Sequence, residues 1–77
     1  MVLAVPEKAA VDGMTVQQIA AHDDFPNDCN IAGIYRESSE EFIIPRGPII
    51  VRAEDRIFLA ANSSSVQYAA KFLQKSR

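Results

Sequence analysis

One histidine and three acidic residues stand close together in the first half of the chain and could hold a metal ion. His22, Asp23 and Asp24 are consecutive, and Asp28 follows in the same turn-rich segment. Divalent metal sites need several oxygen or nitrogen ligands at constrained spacings. Because this segment has neither a second histidine nor a glycine-punctuated loop, we predict a solvated loop and no metal site.

Cys29 is the only cysteine and the second candidate for chemistry. A reactive thiol needs a neighbouring base or positive charge, and only His22 is at hand. Nothing in the sequence orients that histidine, so the usual arrangement of nucleophile, base and orienting group is missing. We therefore predict that Cys29 is a small buried apolar residue opening a strand. A lone thiol also excludes an internal disulfide and fits a reduced, cytoplasmic setting.

Glutamates at positions 37, 40 and 41 could form an acid–base pair, but carboxylates beside a turn are usually solvated. Asp55, in "AEDR", is expected to hold a turn through its side chain. With no converging base and nucleophile, we predict that the protein is not an enzyme.

Arg36 and Arg46 are the basic residues of the central region and could meet an anion. The net charge is −2, and the two arginines are not interleaved with aromatic residues, so we predict no nucleic-acid partner. The chain also lacks both glycine-rich phosphate loops, so no nucleotide cofactor of those types is expected. No apolar run reaches the roughly 20 residues that a membrane helix needs.

The apolar pattern predicts one α+β domain over residues 1–77, with the element order β-α-β-β-β-α and a mostly antiparallel or mixed sheet carrying helices. A first helix is expected near residues 15–22, because Thr15 and Gln18 have capping-box spacing. Ser64 and Gln67 repeat that spacing before the last helix. The strands are expected in "MVLAV", "CNIAGIYRE", "EEFIIP" and "IFLAAN", and "IIVRA" is expected to be a brief strand or extended segment.

Strict alternation along "CNIAGIYRE" places Ile31, Gly33 and Tyr35 on one sheet face and Ile34 on the other. Gly47, in the turn after Pro45, is expected to take a positive φ. Both faces of the predicted strands carry bulky apolar residues, and two short helices cannot cover both. Since uncovered apolar surface marks an interface, we predict that the chain forms a homodimer.

The stretches "IAGIYRE" and "FIIPRGPIIVRAEDRIFLAA", set between two helices, resemble the RCK C-terminal (TrkA-C) domain of potassium channels and Trk/Ktr-type potassium uptake systems. Pro45 takes the place of the family's "iP", and Glu54-Asp55 takes the place of its "GD". Glu54 departs from the usual glycine. The resemblance implies a dimerising cytoplasmic regulatory domain that biases a membrane channel or transporter. It implies either the C-terminal part of a larger transport protein or a small stand-alone relative.

Some members of that family resemble receptors for cyclic di-AMP, which they hold at a dimer cleft. The matching positions here are Ile19, Asn30, Ile31 and Pro45, and for the two isoleucines core packing is the alternative. Where those members have an arginine near the end of the first helix, this chain has Ala20 and Ala21, so a weaker site is expected.

Similar modules occur in anion symporters and cation/proton antiporters. A purely structural assembly domain in such a transporter, with no ligand, is therefore the alternative function.

Overall fold

Four antiparallel strands form one sheet in the computed structural model, which describes all 77 residues. The strands are β1 (Val2–Ala4), β2 (Asn30–Arg36), β3 (Glu41–Ile43) and β4 (Arg56–Ala60). Their order across the sheet is β1-β4-β2-β3. The two central strands, β4 and β2, are the longest ones. With a helix after β1 and another after β4, the predicted α+β class and element order are confirmed.

Helix α1 spans Val16–Ala21, close to the predicted range. Its N-cap is Thr15, whose hydroxyl accepts a hydrogen bond from the backbone N–H of Gln18 at 3.2 Å. The Gln18 side chain accepts one in return from the backbone N–H of Thr15 at 2.9 Å. This reciprocal capping box satisfies two of the N–H groups that a helix start leaves free.

Helix α2 spans Val66–Leu73, and the capping box predicted from Ser64 and Gln67 is wrong. The N-cap is Ser65, which makes no side-chain bond to the helix backbone. Its hydroxyl instead donates to a carboxylate oxygen of Asp28 at 2.7 Å. Spacing along the chain cannot anticipate that competing acceptor, because Asp28 belongs to a distant loop.

One face of the sheet, here called the inner face, packs against both helices and several connecting segments. Ile34 and Ile57 are completely buried there, as are Ile19 of α1 and Leu73 of α2. The core contains 15 buried apolar residues: Leu3, Val5, Ala9, Val11, Val16, Ile19, Phe25, Cys29, Ile34, Val51, Ile57, Leu59, Ala69, Phe72 and Leu73. The molecule therefore has two layers and one core.

A bulge interrupts the alternation predicted for β2. The register with β4 shifts between Ile31 and Gly33, so that Ile31 pairs with Leu59 and Gly33 pairs with Phe58. A bulge adds one residue to a strand and thereby reverses the face of every residue beyond it. Ile31 consequently packs against the core on the same face as Ile34, contrary to the strict alternation.

The connection from β3 to β4 does not add a strand to the sheet. Beyond Pro45 it runs beside the start of α1, where the Val16 N–H donates to the Ile49 carbonyl at 2.9 Å and the Val51 N–H donates to the Met14 carbonyl at 2.8 Å. The predicted segment "IIVRA" is thus extended, with a single bridge between Thr15 and Ile50.

Two turn predictions have different outcomes. "SSE" does lie in a turn, formed by a 3-10 helix at Glu37–Ser39 that ends in the left-handed residue Glu40, with φ 53°. Gly47, however, does not have a positive φ. Its lack of a side chain serves a close approach instead, because a Cβ at Gly47 would lie 2.8 Å from the Gln17 Oε1 atom.

No helix in the protein has the length and apolar character that crossing a membrane requires.

Candidate functional site

Asn30 and Pro45 lie at the same end of the sheet. Asn30 opens β2, and Pro45 follows the last residue of β3 by two positions. These strands are antiparallel, with Ile34 opposite Ile43, so β3 ends beside the middle of β2 and the chain after it continues towards the Asn30 end. Asn30 is exposed and Pro45 is half-buried, whereas Ile31, the residue after Asn30, is half-buried against the core.

Ile19 occupies a different environment from the other three predicted ligand residues. Its side chain is fully buried in the core, at 0% exposure. The α1 residues around it, Gln18, Ala20 and Ala21, are exposed. A ligand lying on α1 would therefore meet the two alanines, while Ile19 supports the helix from below.

An ion pair fixes the connection that carries Pro45. The Arg36 Nε atom donates to Asp55 Oδ1 at 3.0 Å, and Arg36 Nη2 donates to Asp55 Oδ2 at 2.8 Å. The same Nη2 also donates to the backbone carbonyl of Ile50 at 2.9 Å. Asp55 is 1% exposed, and its bidentate contact raises the pKa of Arg36 above the ordinary value. The guanidinium thus joins the end of β2 to the connection between β3 and β4.

Asp55 also performs the turn role expected from sequence. Its Oδ2 atom accepts a hydrogen bond from the Arg52 backbone N–H at 2.9 Å. The sequence analysis does not predict that Asp55 pairs with Arg36. The only sequence signal of this pair is that Arg36 lies two residues after the buried Ile34, and so on the inner face of the strand.

Asp28 orders the loop just before Asn30. Ser65 donates to its carboxylate at 2.7 Å, and the Asn62 amide donates to the same oxygen at 3.0 Å. The Ser65 bond, followed by the Asn62 bond, holds the pKa of Asp28 below its usual value. These contacts connect the start of β2 to the start of α2.

Cys29 is buried, as predicted, and belongs to the core. Burial raises the pKa of its thiol, and the negative charge of Asp28 acts in the same direction. The neutral thiol is therefore favoured, which opposes nucleophilic chemistry.

His22 and its acidic neighbours form no converging set. The His22 Nδ1 atom accepts a hydrogen bond from the Asp24 backbone N–H at 3.1 Å, and its ring stacks on Phe72 with centroids 4.5 Å apart. No group of three or more His, Cys, Asp or Glu side chains is placed to hold a metal ion. Glu37 lies 3.6 Å from Arg56, and both side chains are largely exposed.

Neither of the two concavities of the surface is lined by Asn30 or Pro45. The larger is a groove of about 690 Å³ along α2, lined by Asp24, Tyr68, Lys71, Phe72, Gln74 and Lys75. The smaller, of about 60 Å³, lies beside the Arg36–Asp55 pair. A single copy of the chain thus presents Asn30 and Pro45 on an open surface without a cavity of its own.

The fold and this arrangement define a small α+β domain whose four-stranded sheet carries Asn30 and Pro45 towards one end. Residues 1–74 match the family described as the TrkA-C domain. The chain belongs to that family, which confirms the resemblance drawn from sequence. We find no curated protein whose sequence matches this chain.

Two solved structures show the same fold. The RCK_C domain dimer of S. agalactiae BusR in complex with c-di-AMP matches with a TM-score of 0.75 and 18% identity, covering 95% of this chain and 92% of that one. An RCK domain solved with cda matches with a TM-score of 0.69 and 18% identity, covering 95% of this chain and 97% of that one.

BusR has also been solved in complex with its busAB-promotor DNA. That structure matches with a TM-score of 0.75 and 18% identity over 95% of this chain, which covers 34% of the BusR chain. A domain of the same fold therefore forms part of the longer, DNA-bound BusR chain. The expectations of a transporter parent and of no nucleic-acid partner gain no support from this comparison.

Proposed function

We propose that the chain is a dimerising regulatory domain that binds a small ligand, with cyclic di-AMP the first candidate, at a cleft between two copies. The observation that carries the proposal is that exposed Asn30 and half-buried Pro45 lie towards the same end of the sheet. Its two supports, the Arg36–Asp55 pair and the Asp28 hydrogen bonds, hold both flanking connections in place. Binding groups held in this way lose little freedom when a ligand arrives.

A second copy would supply the concavity that one copy lacks. In a two-fold dimer the same surface occurs on both sides of the axis, so each contact is doubled. Two asparagine amides and two prolines would then face each other across a cleft. The solved c-di-AMP complex of the same fold, which is a dimer, supports this arrangement.

The residues present suit a cyclic dinucleotide. Its own two-fold symmetry matches the cleft of a symmetric dimer. The Asn30 amide both donates and accepts hydrogen bonds and can pair with a base edge or a ribose hydroxyl. Pro45 and Ile31 offer apolar surface to the base faces.

The first helix lacks a charge for the phosphates, because Ala20 and Ala21 stand where related receptors have an arginine. A hydrogen bond to a charged group is worth about 1.5–3 kcal/mol, so binding roughly 10- to 100-fold weaker than with that arginine is expected.

Ligand binding would act on a parent protein by favouring one of its conformations. We propose a cytoplasmic, non-enzymatic role in which the parent is a channel or transporter for potassium or another cation. Because BusR was solved on promoter DNA, a DNA-binding regulator is a second candidate parent. A structural assembly domain without a ligand, in an anion symporter or cation/proton antiporter, is the third.

Calorimetric titration with cyclic di-AMP tests the ligand, with cyclic di-GMP as the comparison compound. The wild type is expected to bind, and Asn30→Ala to bind at least ten-fold more weakly. Asn27→Ala is the matched control, because Asn27 is an exposed asparagine three residues away that makes no side-chain hydrogen bond. Ala21→Arg is expected to tighten binding.

A thermal-shift measurement gives a second readout, since a ligand at 100 times its dissociation constant adds about 2.7 kcal/mol to stability. A dimer that neither compound stabilises would favour the assembly role instead.

A further inference from the structure

The larger concavity of the surface, here called the α2 groove, follows one face of the last helix. Four of its six lining residues have the i, i+3, i+4, i+7 spacing of a single helix face: Tyr68, Lys71, Phe72 and Lys75. The groove has a volume of about 690 Å³. That volume lies within the range of about 300–1,000 Å³ that is typical of small-molecule sites.

Contacts within the chain fix the floor and one end of the α2 groove. Phe72 is only 7% exposed, and its ring stacks on His22 with centroids 4.5 Å apart, which joins α2 to the end of α1. The Lys75 backbone N–H donates to the Phe72 carbonyl at 3.3 Å, and the Lys75 carbonyl accepts from the Ala10 N–H at 2.8 Å. The groove is therefore preformed, so a ligand does not have to order these segments when it binds.

Two ammonium groups line the α2 groove without a carboxylate partner. Lys71 lies in the last turn of α2, and Lys75 lies two residues beyond the end of that helix. The four ion pairs of the chain are formed by three arginines and His22, so both lysine charges are free to meet an external anion. Like charges four positions apart repel each other on a helix surface. An anion between the two ammonium groups would relieve that repulsion.

An exposed aromatic ring shares the face that carries the two lysines. The helix dipole accounts for cations at the end of α2, but it does not account for Tyr68, which lies one turn earlier and is 59% exposed. A tyrosine ring offers a face on which a flat aromatic group can stack. At a rise of about 1.5 Å per residue, Tyr68 lies about 5–10 Å along the helix from the lysines. One small molecule can therefore reach the ring and both charges.

The loop after α1 supplies the carboxylate of the α2 groove. Asp24 lines the groove, and its side chain is 63% exposed. A carboxylate accepts hydrogen bonds from hydroxyl and amino groups. The groove thus combines a stacking surface, a hydrogen-bond acceptor and a pair of cations. An aromatic ring, hydroxyl groups and a phosphate, joined in one molecule, are the complementary set.

We propose that the α2 groove binds a nucleoside phosphate, with the base on Tyr68, the ribose hydroxyls at Asp24 and the phosphate between Lys71 and Lys75. Neither Asn30 nor Pro45 lines this groove, so the inference does not rest on the proposed function. All four contacting side chains are exposed, and much of the ligand stays in water. A dissociation constant on the order of 0.1–1 mM is therefore expected.

NMR titration of the backbone amides with adenosine monophosphate (AMP) tests the site. The amides of residues 68–75 and of Asp24 should shift, and the shifts should saturate. Adenosine lacks the phosphate and inorganic phosphate lacks the ring. Each should bind at least about ten-fold more weakly than AMP, the equivalent of one hydrogen bond to a charged group.

Two variants separate the contributions of the charges and of the ring. Replacing both groove lysines, Lys71→Gln with Lys75→Gln, should weaken AMP binding at least about ten-fold. Lys8→Gln is the matched control, because Lys8 is an exposed lysine outside the groove, and it should bind AMP as the wild type does. Tyr68→Ala should weaken AMP binding and leave the weak binding of inorganic phosphate unchanged.

Three results would each overturn the proposal. The first is the absence of saturable shifts at about 10 mM AMP, ten times the weakest dissociation constant expected. The second is a double lysine variant that binds AMP as tightly as Lys8→Gln does. The third is inorganic phosphate that binds as tightly as AMP, which would mean that the lysines hold an adventitious ion only.

Asn30→Ala distinguishes this site from the one proposed for cyclic di-AMP. This variant should keep its AMP binding while it loses affinity for cyclic di-AMP. AMP shifts confined to the Asn30 end of the sheet would overturn the groove proposal and leave the cyclic di-AMP proposal standing. Groove shifts with AMP, in a wild type that binds no cyclic dinucleotide, would support the groove and reject the other site.

Discussion

The two faces of the sheet are built from alternate residues of the same strands, yet the side chains of one face are buried and those of the other are exposed. On the inner face Ile34 and Ile57 are completely buried. On the opposite side of the sheet, its outer face, the neighbouring residues include Phe42, which is 62% exposed, and Val2, which is 52% exposed. Both sets are apolar. The difference teaches that in this chain hydrophobicity does not by itself decide burial: the position of the two helices does.

A chain of 77 residues has enough material for one covering layer. Both helices and the connecting segments pack on the inner face and complete a single core. A protein this small buries only about 60% of the surface of its unfolded chain. The inner face therefore stabilises the fold, and the outer face remains free for an interaction.

The largest expected difference between the faces comes from Ile34→Ala. Removing a fully buried isoleucine side chain leaves a cavity, so a loss of about 3–4 kcal/mol in unfolding free energy is expected. Val2→Ala, at the outer face, should cost less than about 1 kcal/mol in the monomer, because the side chain is half exposed. Urea unfolding at low protein concentration compares the two. Equal losses would mean that the outer face is as important to the monomer as the core.

Asp55→Ala is expected to have the next largest effect, at about 2–3 kcal/mol. It removes the buried partner of Arg36 and the acceptor of the Arg52 N–H. Breaking a fully buried pair costs about 3–5 kcal/mol, and the value is lower here because the Arg36 side chain is 26% exposed and can reach water. Arg56→Ala is the control, since the Arg56 pair with Glu37 lies in solvent on the outer side. Similar losses in the two variants would contradict the role given to Asp55.

Glu54→Gly should stabilise the protein by about 0.5–1 kcal/mol. Glu54 has φ 70°, a left-handed conformation that strains a residue with a side chain and suits glycine. This turn leads into β4, whose residues lie alternately on the two faces of the sheet. Glu54 is also the position where the family usually has glycine. Arg52→Gly, two residues earlier and without a positive φ, should destabilise instead. Thermal unfolding of both variants measures the difference in sign.

Asp28→Asn should have the smallest effect on stability. Asp28 lies just before β2, at the edge of the sheet where the inner and outer faces meet. The pKa of Asp28 is lowered in the folded protein, so the ionised carboxylate is the form that folding favours. Its contribution is present above the unfolded pKa of about 3.9 and is lost as the pH falls through the lower folded value. Wild type and variant should therefore differ slightly at neutral pH and converge in acid. Asp23→Asn, at an exposed carboxylate without a hydrogen bond, is the control and should leave the stability at neutral pH unchanged.

Local patterns account for the parts of the fold that were predicted correctly. The capping box of Thr15 and Gln18 and the turn held by Asp55 each depend on residues within a few positions of one another. The same kind of reasoning failed at Ser65, where an acceptor 37 positions away in the chain decides the cap. It failed also at Gly47, whose glycine is explained by the approach of Gln17.

The candidate site also combines features that the sequence predicts with features that it does not. Asn30, Ile31 and Pro45 could be singled out from a family pattern, and antiparallel pairing of β2 with β3 then directs the chain after Ile43 towards the Asn30 end of the sheet. The sequence could not show whether each of these side chains is exposed to solvent or packed in the core. The reason is that the bulge at Ile31 changes which residues of β2 share a face. The Arg36–Asp55 pair spans 19 positions and has no local signature.

The order of the elements, the α+β class and the family all follow from the sequence, because periodicity and turn chemistry act over short distances. Which apolar residues are buried, and which carboxylate meets which donor, was decided only by the tertiary structure. Those outcomes depend on the side of the sheet that the helices cover and on contacts between residues far apart in the chain, and neither is encoded in any one segment.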